Sequence, residues 1–166
     1  MIEKIKDRIK KNLNIIEQKE YVWIANRDVA AVTNEDIKDI AAFSKDSGYR
    51  QFRICFHENQ SDKTHVMLIV HNLPQSIYWH MQPKKQKVTY ICLTGEIKVI
   101  TKRGDRIALP SGDNHNDFNY CHNSINRFAS LKRDIPRAIS TVSSQSVFLE
   151  ICDGPFEDSD TIWVYS

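Results

Sequence analysis

Hydrophobic residues recur every three or four positions at the start of the chain and every second position beyond residue 48. The first pattern is a single apolar stripe over residues 2–16, formed by Ile2, Ile5, Ile9, Leu13 and Ile16. This spacing places all five side chains on one face of a helix that packs against the rest of the protein or against a second subunit. The stripe is narrow and carries no Trp or Phe, which disfavours a helix lying on a membrane surface.

A short strand over 21–25 and a second helix over 35–44 are predicted next. Thr33 or Asn34 is the expected N-cap, because the oxygen of such a side chain can accept a hydrogen bond from a backbone N–H of the first turn. The pair Ser47-Gly48 is typical of the end of a helix. We therefore predict that residues 1–47 form an N-terminal helical extension packed on the domain that follows.

From residue 49 onward, short runs rich in Val, Ile, Phe, Tyr and Thr alternate with turn residues such as those at 94–95 and 103–105. The predicted strands are 51–57, 65–72, 77–82, 87–93, 96–101 and 146–152. No alternation of strands with helices appears, so we predict a mainly β sandwich or barrel over residues 48–166. Residues 111–134 are rich in Asn, Ser and His, which predicts a long loop between strands.

Composition and charge limit the classes of function. The chain has 166 residues, of which 41% are hydrophobic and 27% are charged, as expected for one globular domain. A net charge of +2 is too small to favour a nucleic acid or an anionic membrane as partner. No apolar run approaches the ~20 residues that span a bilayer, and the first residues do not resemble a signal peptide. We therefore expect a cytoplasmic protein with free thiols at Cys55, Cys92, Cys121 and Cys152.

Alternation along the strands brings polar side chains to common faces. Tyr78, His80 and Gln82 are expected to share one face of their strand, because successive side chains point to opposite sides of a sheet. If this face lines the interior of a barrel, it forms a polar pocket suited to a small molecule. A single histidine on a strand is more often a structural residue. The hypothesis of a pocket therefore depends on several of these polar side chains converging on one surface. The residues expected in this pocket are His57, His80, Gln82, Tyr90 and Arg53.

Several segments of the chain occur in the order found in the WbuC-type cupins. They are the Arg-x-x-Arg-x-x-x-His run formed by Arg50, Arg53 and His57, then THVMLIV, IYWHMQPKKQKVTYICLTGEIKVI and IPRAISTV, and the closing element at Leu149–Phe156. Over residues 48 to about 157 the chain resembles these small bacterial proteins of the RmlC-like cupin superfamily, which are associated with gene sets for lipopolysaccharide and other surface polysaccharides. The resemblance implies a cupin double-stranded β-helix, which is a jelly-roll barrel.

The metal motif of the cupins is incomplete in this sequence. The family pattern resembles His-x-His, a later Glu and Gly, and a further His on a late strand. His80 stands at the first position and Gln82 at the second, whereas the Glu position falls on Lys87 or Val88 and the late His position on Ser140. Divalent metals are held by several imidazole or carboxylate ligands at once, so we expect no tightly bound metal and no cofactor in the barrel.

Another possible source of metal ligands lies between residues 111 and 134. His115, Cys121 and His122 are close in sequence there, but their spacing matches no standard zinc arrangement. A solvated polar loop is the favoured interpretation of this segment.

Three functions remain compatible with the sequence. The first is a binder of a sugar or sugar nucleotide, which the resemblance links to bacterial surface-polysaccharide biosynthesis. In it, Arg53 and Arg50 would hold a phosphate or carboxylate, and Gln82 and Ser140 would line the ligand site. The second is a metal-independent isomerase or epimerase of a keto sugar. The third is a metal-dependent cupin enzyme.

The isomerase hypothesis assigns roles to individual side chains. Proton transfer next to a carbonyl group needs a base and an acid, for which a histidine and a tyrosine are suited. His80 or His57 would be the base and Tyr90 the acid. A fourth possibility is a purely structural or assembly role, in which the N-terminal apolar stripe supplies part of the two-fold interface of a homodimer. This role is compatible with each of the other three.

Overall fold

The computed structural model of the chain describes residues 2–26, 30–74, 76–84, 87–110, 128–132 and 134–164. The helices are α1 (Ile2–Leu13) and α2 (Asn34–Asp46). The strands are β1 (Ile15–Lys19), β2 (Val22–Ala25), β3 (Gln51–Cys55), β4 (Thr64–His71), β5 (Ser76–Met81), β6 (Lys87–Thr94), β7 (Glu96–Thr101), β8 (Arg106–Pro110), β9 (Ala129–Lys132), β10 (Arg137–Thr141), β11 (Ser146–Asp153) and β12 (Ile162–Trp163). A short 3-10 helix spans Asp158–Asp160.

The described strands form two sheets. The large sheet has the order β1-β2-β3-β4-β11-β6-β9, and the small sheet has the order β12-β5-β10-β7-β8. Every neighbouring pair is antiparallel except β2 and β3, which run parallel. The sheets face each other across one apolar core, to which Ile69 and Phe148 contribute from the large sheet and Val99 and Ile139 from the small sheet. This arrangement is the jelly-roll barrel expected from the sequence.

A second apolar core lies outside the barrel, between the helices and the outer face of the large sheet. Ile9 and Leu13 of α1 and Ile40 of α2 are almost fully buried there, together with Trp23 of β2 and Phe52 of β3. The predicted apolar stripe of the first helix therefore packs onto the barrel. Arg8 of α1 also pairs with Asp39 of α2, which joins the two helices.

The N-terminal segment differs from the predicted helical extension in two respects. The helix α1 ends at Leu13 rather than at residue 16, because Asn14 takes a left-handed conformation with φ of 49° and turns the chain into β1. Ile16, predicted in the helical stripe, lies in β1 with 53% of its surface exposed. Strands β1 and β2 extend the large sheet through the parallel pairing with β3. Residues 1–47 thus supply strands as well as helices.

The start of α2 follows the prediction closely. Thr33 is the N-cap, and its Oγ1 accepts a hydrogen bond from the backbone N–H of Asp36 at 3.2 Å. The Asp36 carboxylate accepts one in return from the backbone N–H of Thr33 at 2.9 Å. This reciprocal capping box satisfies two backbone donors that the helix itself leaves without partners.

The C-terminal half contains strands that the periodicity did not predict. These are β8, β9, β10 and β12, and β9 lies inside the range 111–134 predicted as a loop. That prediction is wrong for Ala129–Lys132, where Ala129 and Leu131 are buried in the barrel core. Residues 111–127, with His115, Cys121 and His122, lie outside the described residues. Cys55 and Cys92 are buried free thiols, as predicted, and Cys152 is buried as well. None of the described helices is long and apolar enough to cross a membrane.

Gly95 joins β6 to β7 at a point where the backbone passes very close to another strand. Its φ is +76°, and a Cβ atom placed on it would lie 2.4 Å from the backbone oxygen of Gln145. Gly104 also has a positive φ, of +98°, but a Cβ atom there would meet no atom within 4 Å.

We therefore expect Gly95→Ala to destabilise the fold more than Gly104→Ala does. Both variants lose the freedom of glycine at positive φ, which costs about 1 kcal/mol or more, but only Gly95→Ala must also displace a neighbouring strand. Urea denaturation of both variants checks this difference. Equal losses of unfolding free energy would contradict the importance of the close approach to Gln145.

Candidate functional site

The interior face of the large sheet carries a carboxylate beside a tyrosine. Glu150 of β11 lies opposite Tyr90 of β6 and opposite Met67 of β4 in the strand register. Tyr90 is fully buried and belongs to the barrel core, so the Glu150 side chain also points into the barrel. Glu150 retains partial exposure to solvent. This pair places a titratable carboxyl group inside the barrel, next to a buried phenol.

Arg137 connects the two sheets inside the barrel. It lies on β10 of the small sheet, opposite His80 of β5, and only 2% of its surface is exposed. Its Nε donates a hydrogen bond to the Tyr90 hydroxyl oxygen at 2.9 Å, and its Nη2 donates to Oε1 of Gln82 at 2.7 Å. We refer to His80, Gln82, Tyr90, Arg137 and Glu150 as the polar cluster.

His80 enters the polar cluster because of an irregularity in β5. The register between β10 and β5 shifts between Arg137 and Ile139, so that one extra residue is accommodated between Ile77 and His80. His80 is therefore buried, whereas 81% of the surface of Tyr78 is exposed. The predicted common face of Tyr78, His80 and Gln82 is wrong for Tyr78, because the bulge breaks the simple alternation. The Nδ1 atom of His80 lies 2.8 Å from the backbone oxygen of Tyr78.

Burial and the Arg137 charge set the protonation of the polar cluster. Burial, with a smaller contribution from Arg137, lowers the pKa of His80 to about 4, so the imidazole is neutral at pH 7. Burial also raises the pKa of Glu150, against the opposing charges of Arg137 and Arg53 and a hydrogen bond with Tyr90. Burial and the neighbouring Glu150 raise the pKa of Tyr90, which therefore stays protonated.

Arg53 is the second guanidinium of the barrel interior. It lies on β3 opposite Ile69, a residue of the interior core, so its side chain faces inward as predicted. Its Nε atom is buried and has no hydrogen-bond partner among the described residues. The charge of Arg53 lowers the pKa of both Glu150 and His71. Arg53 therefore lies close enough to both side chains to interact with them electrostatically.

Three of the residues predicted for the pocket or for ligand binding lie away from the polar cluster. The ring of His57 stacks on His65 with centroids 3.9 Å apart, and none of its contacts among the described residues is with His80. Ser140 lies on the outer face of β10, where its hydroxyl is 3.4 Å from that of Ser76, because the neighbouring Ile139 points inward. Arg50 is exposed and lines a surface cleft of about 570 Å³ with Gln51, Pro74, Ser76 and Tyr78.

The two charged residues of the polar cluster were missed in the sequence. Both Arg137 and Glu150 lie within segments that carry the cupin resemblance, IPRAISTV and the closing element at Leu149–Phe156. A signal for Glu150 was present, since alternation along β11 places it on one face with Phe148 and Cys152. A carboxylate between two apolar residues on the inward face of a strand indicates a functional or paired group.

The described residues do not fit a metal centre at His80 and Gln82. Oε1 of Gln82, the only ligand atom that its amide could offer, already accepts a hydrogen bond from Arg137. A guanidinium at this position would repel a divalent cation. Within the part of the chain that the structure describes, no three His, Cys, Asp or Glu side chains are arranged to hold a metal ion. That the protein needs no cofactor stays a prediction.

Known structures share this fold. No protein-family model and no curated protein matches the chain. A protein with a double-stranded β-helix domain from Klebsiella pneumoniae is 14% identical, with a TM-score of 0.50 over 70% of this chain and 86% of its own. A cupin-like protein from Thermotoga maritima is 13% identical, with a TM-score of 0.50 over 70% of this chain and 77% of its own. The chain therefore has the cupin jelly-roll fold, whereas membership of the WbuC-type cupins stays a prediction.

We expect the fold to lose stability as the pH falls from about 6.5 towards 4. Burial lowers the pKa of His71 and His80 to about 4 each from 6.5, so in this range the unfolded chain binds protons that the folded protein does not. Each histidine contributes a slope of up to about 1.4 kcal/mol per pH unit. Urea denaturation at pH 7 and pH 5 measures this slope.

The variant His71→Leu tests whether the buried histidines cause this pH dependence. It removes one of the two buried imidazoles and keeps an apolar side chain beside Phe148. Its loss of unfolding free energy between pH 7 and pH 5 should be smaller than that of the native protein. NMR titration of the imidazole ring signals should show two histidines that remain neutral down to about pH 4. An unchanged slope in His71→Leu would contradict the burial of a neutral His71.

Proposed function

We propose that the barrel binds a small anionic sugar derivative, such as a sugar acid or a sugar phosphate, at the polar cluster. The observation that supports this proposal is the balance of charge inside the barrel. Arg137 and Arg53 face the interior, and Glu150 is the single carboxylate on the interior-facing positions of the described strands. Because burial also raises the pKa of Glu150, the interior has an excess of positive charge that an anion would compensate.

Arg137 is equipped to hold an anion directly. A guanidinium has five N–H donors, of which Arg137 uses one for Tyr90 and one for Gln82. The remaining donors can bind a carboxylate or phosphate in bidentate fashion. Tyr90 and Gln82 fix the plane of the guanidinium, so little side-chain entropy is lost when the ligand binds.

The sugar part of the proposal is supported by the surroundings of the polar cluster. Trp163 of β12 lies beside His80 with ring centroids 5.7 Å apart, and 48% of its surface is exposed. An exposed indole next to polar groups offers a flat apolar surface to one face of a sugar ring. Nε2 of Gln82 lies 3.4 Å from the hydroxyl of Thr161, and both groups can hydrogen-bond to ring hydroxyls. The resemblance to the WbuC-type cupins adds the expectation of a role in surface-polysaccharide biosynthesis.

Isothermal titration calorimetry with D-glucuronate and glucose 6-phosphate tests this proposal. We expect both anions to bind more tightly than neutral D-glucose. The variant Arg137→Gln should lower the affinity for the anions by about 10- to 100-fold, since a hydrogen bond to a charged group contributes about 1.5–3 kcal/mol. Arg106→Gln, which changes an exposed arginine on β8, is the matched control and should bind normally.

A second variant separates recognition of the anion from recognition of the sugar ring. Trp163→Ala should weaken the binding of D-glucuronate and leave the binding of inorganic phosphate unchanged. Equal affinity for glucose and glucuronate, or normal binding of both anions by Arg137→Gln, would exclude the polar cluster as an anion site.

A further inference from the structure

We propose that residues 157–164 form a strap that opens and closes over the polar cluster, and that ion pairs of Lys84 hold it closed. The purpose of such a device rests on the proposed anion site, because the strap would control entry and release of the ligand. The opening itself is a property of the chain and can be measured without any ligand.

The strap bridges the two sheets of the barrel. It follows the end of β11 in the large sheet, includes the 3-10 helix Asp158–Asp160 and contains β12 at the edge of the small sheet. In β12, Trp163 lies opposite His80 of β5. The strap therefore lies along the strand that brings His80 and the neighbouring Gln82 into the polar cluster.

Two members of the polar cluster contact the strap directly. The ring centroids of Trp163 and His80 are 5.7 Å apart, and Nε2 of Gln82 lies 3.4 Å from the hydroxyl oxygen of Thr161. Only 7% of the surface of His80 and 7% of that of Gln82 is exposed. The strap contributes to the burial of both side chains, so its displacement would open this side of the polar cluster to solvent.

Lys84 connects the strap to the chain that follows β5. Its Nζ lies 2.8 Å from Oδ1 of Asp160 and 3.1 Å from Oε2 of Glu157. Hydrogen bonds to Asp160 and to Glu157 raise the pKa of Lys84, so it is charged at pH 7. Asp160 is buried, and a buried carboxylate that loses its cation is strongly unfavourable. Lys84 therefore stabilises the closed position of the strap.

The other attachments of the strap to the small sheet are few. Strand β12 has two residues, and beyond it the backbone N–H of Val164 donates a hydrogen bond to the backbone oxygen of Trp79 at 2.8 Å. Among the described side chains of the strap only that of Asp160 is buried. A segment with so little buried surface opens at a lower free energy than the core of a protein.

The chain just before the strap is held firmly. The backbone N–H of Gly154 donates to the oxygen of Lys63 at 2.8 Å, and that of Phe156 donates to the oxygen of Gln60 at 2.7 Å. A Cβ atom placed on Gly154 would lie 1.6 Å from the backbone oxygen of Asp62, so the two segments are in close contact. The strap can therefore move after Phe156 while β11 stays in place.

Amide hydrogen exchange, followed by NMR, tests the opening. In the native protein we expect the Val164 amide to exchange faster than the amides of β11, because the strap opens without unfolding the barrel. Lys84→Met should accelerate exchange at Val164 about tenfold and leave the β11 amides unchanged. Lys38→Met, which changes an exposed lysine of α2, is the matched control and should have no effect at Val164.

Two results of this experiment would overturn the strap. One is equal exchange rates at Val164 and in β11 of the native protein, which would mean that only global unfolding exposes Val164. The other is a native exchange rate at Val164 in folded Lys84→Met.

Salt provides a test that needs no variant. Sodium chloride at about 1 M screens charges beyond about 3 Å and weakens exposed ion pairs. Exchange at Val164 should therefore accelerate in the native protein and change less in Lys84→Met. A native rate that does not respond to salt, or an equal response of both proteins, would contradict the role of Lys84.

Modification by diethyl pyrocarbonate tests whether the strap covers the polar cluster. The reagent reacts with neutral imidazoles, and His80 is neutral at pH 7 because burial lowers its pKa to about 4. Mass spectrometry of peptides should show faster modification of His80 in Lys84→Met or at high salt. His71, which is fully buried beside Phe148, should be modified at an unchanged rate. An unchanged rate at His80 would overturn the covering role of the strap.

Stopped-flow fluorescence with D-glucuronate connects the strap to the ligand. We expect both association and dissociation to be faster in Lys84→Met than in the native protein or in Lys38→Met. Native rates in Lys84→Met would exclude control of access by the strap and leave the anion site intact. Failure of the native protein to bind D-glucuronate would count against the anion site, whereas hydrogen exchange and the modification of His80 would still decide whether the strap opens.

Discussion

The polar interior of this barrel depends on one buried cation, the guanidinium of Arg137. A charge that is almost completely removed from water is unfavourable unless hydrogen bonds compensate the loss of hydration. The acceptors that Arg137 uses, the Tyr90 hydroxyl and the Gln82 amide oxygen, are both neutral and therefore leave its charge in place. That charge helps to keep His80 neutral and favours the ionised form of Glu150. The hydrogen bond to Tyr90 also joins β10 of the small sheet to β6 of the large sheet, so Arg137 contributes both to the electrostatics and to the architecture of this region.

A barrel with charged groups inside needs apolar packing elsewhere, and the N-terminal segment provides it. Trp23 of β2 lies in the second core, with its ring centroid 4.9 Å from that of Phe43 and 5.0 Å from that of Phe52. This core forms on the outer face of the large sheet, where the helices exclude water without approaching the interior. Because hydrophobic burial contributes roughly in proportion to apolar area, a covered outer face offsets the apolar area that the polar cluster removes from the interior.

The sequence predicts those strands that have one buried face and one more accessible face. Strands such as β3 and β6 alternate buried and more accessible residues, and this alternation is what periodicity detects. In β10, by contrast, Arg137, Ala138 and Ile139 are all buried, so no alternation is present and the strand escapes the prediction. The bulge in β5 leaves no mark in the sequence either, because it depends on the pairing with β10. For the same reason the site was predicted only in part: the inward faces of Arg53 and Tyr90 follow from alternation, whereas the burial of Arg137 follows from tertiary contacts alone.

The contact that would hold an anion also affects the basicity of Glu150. In the free protein the charge of Arg137 lowers the pKa of Glu150 and thereby opposes the effect of burial. A carboxylate or phosphate bound to Arg137 would neutralise this charge and add a negative one, and both changes favour the protonated form of Glu150. Binding of an anion would therefore be accompanied by protonation of Glu150. A neutral sugar would leave the Arg137 charge in place and would not favour this protonation. The selectivity of such a site for anionic ligands would thus arise from the charge of one buried arginine.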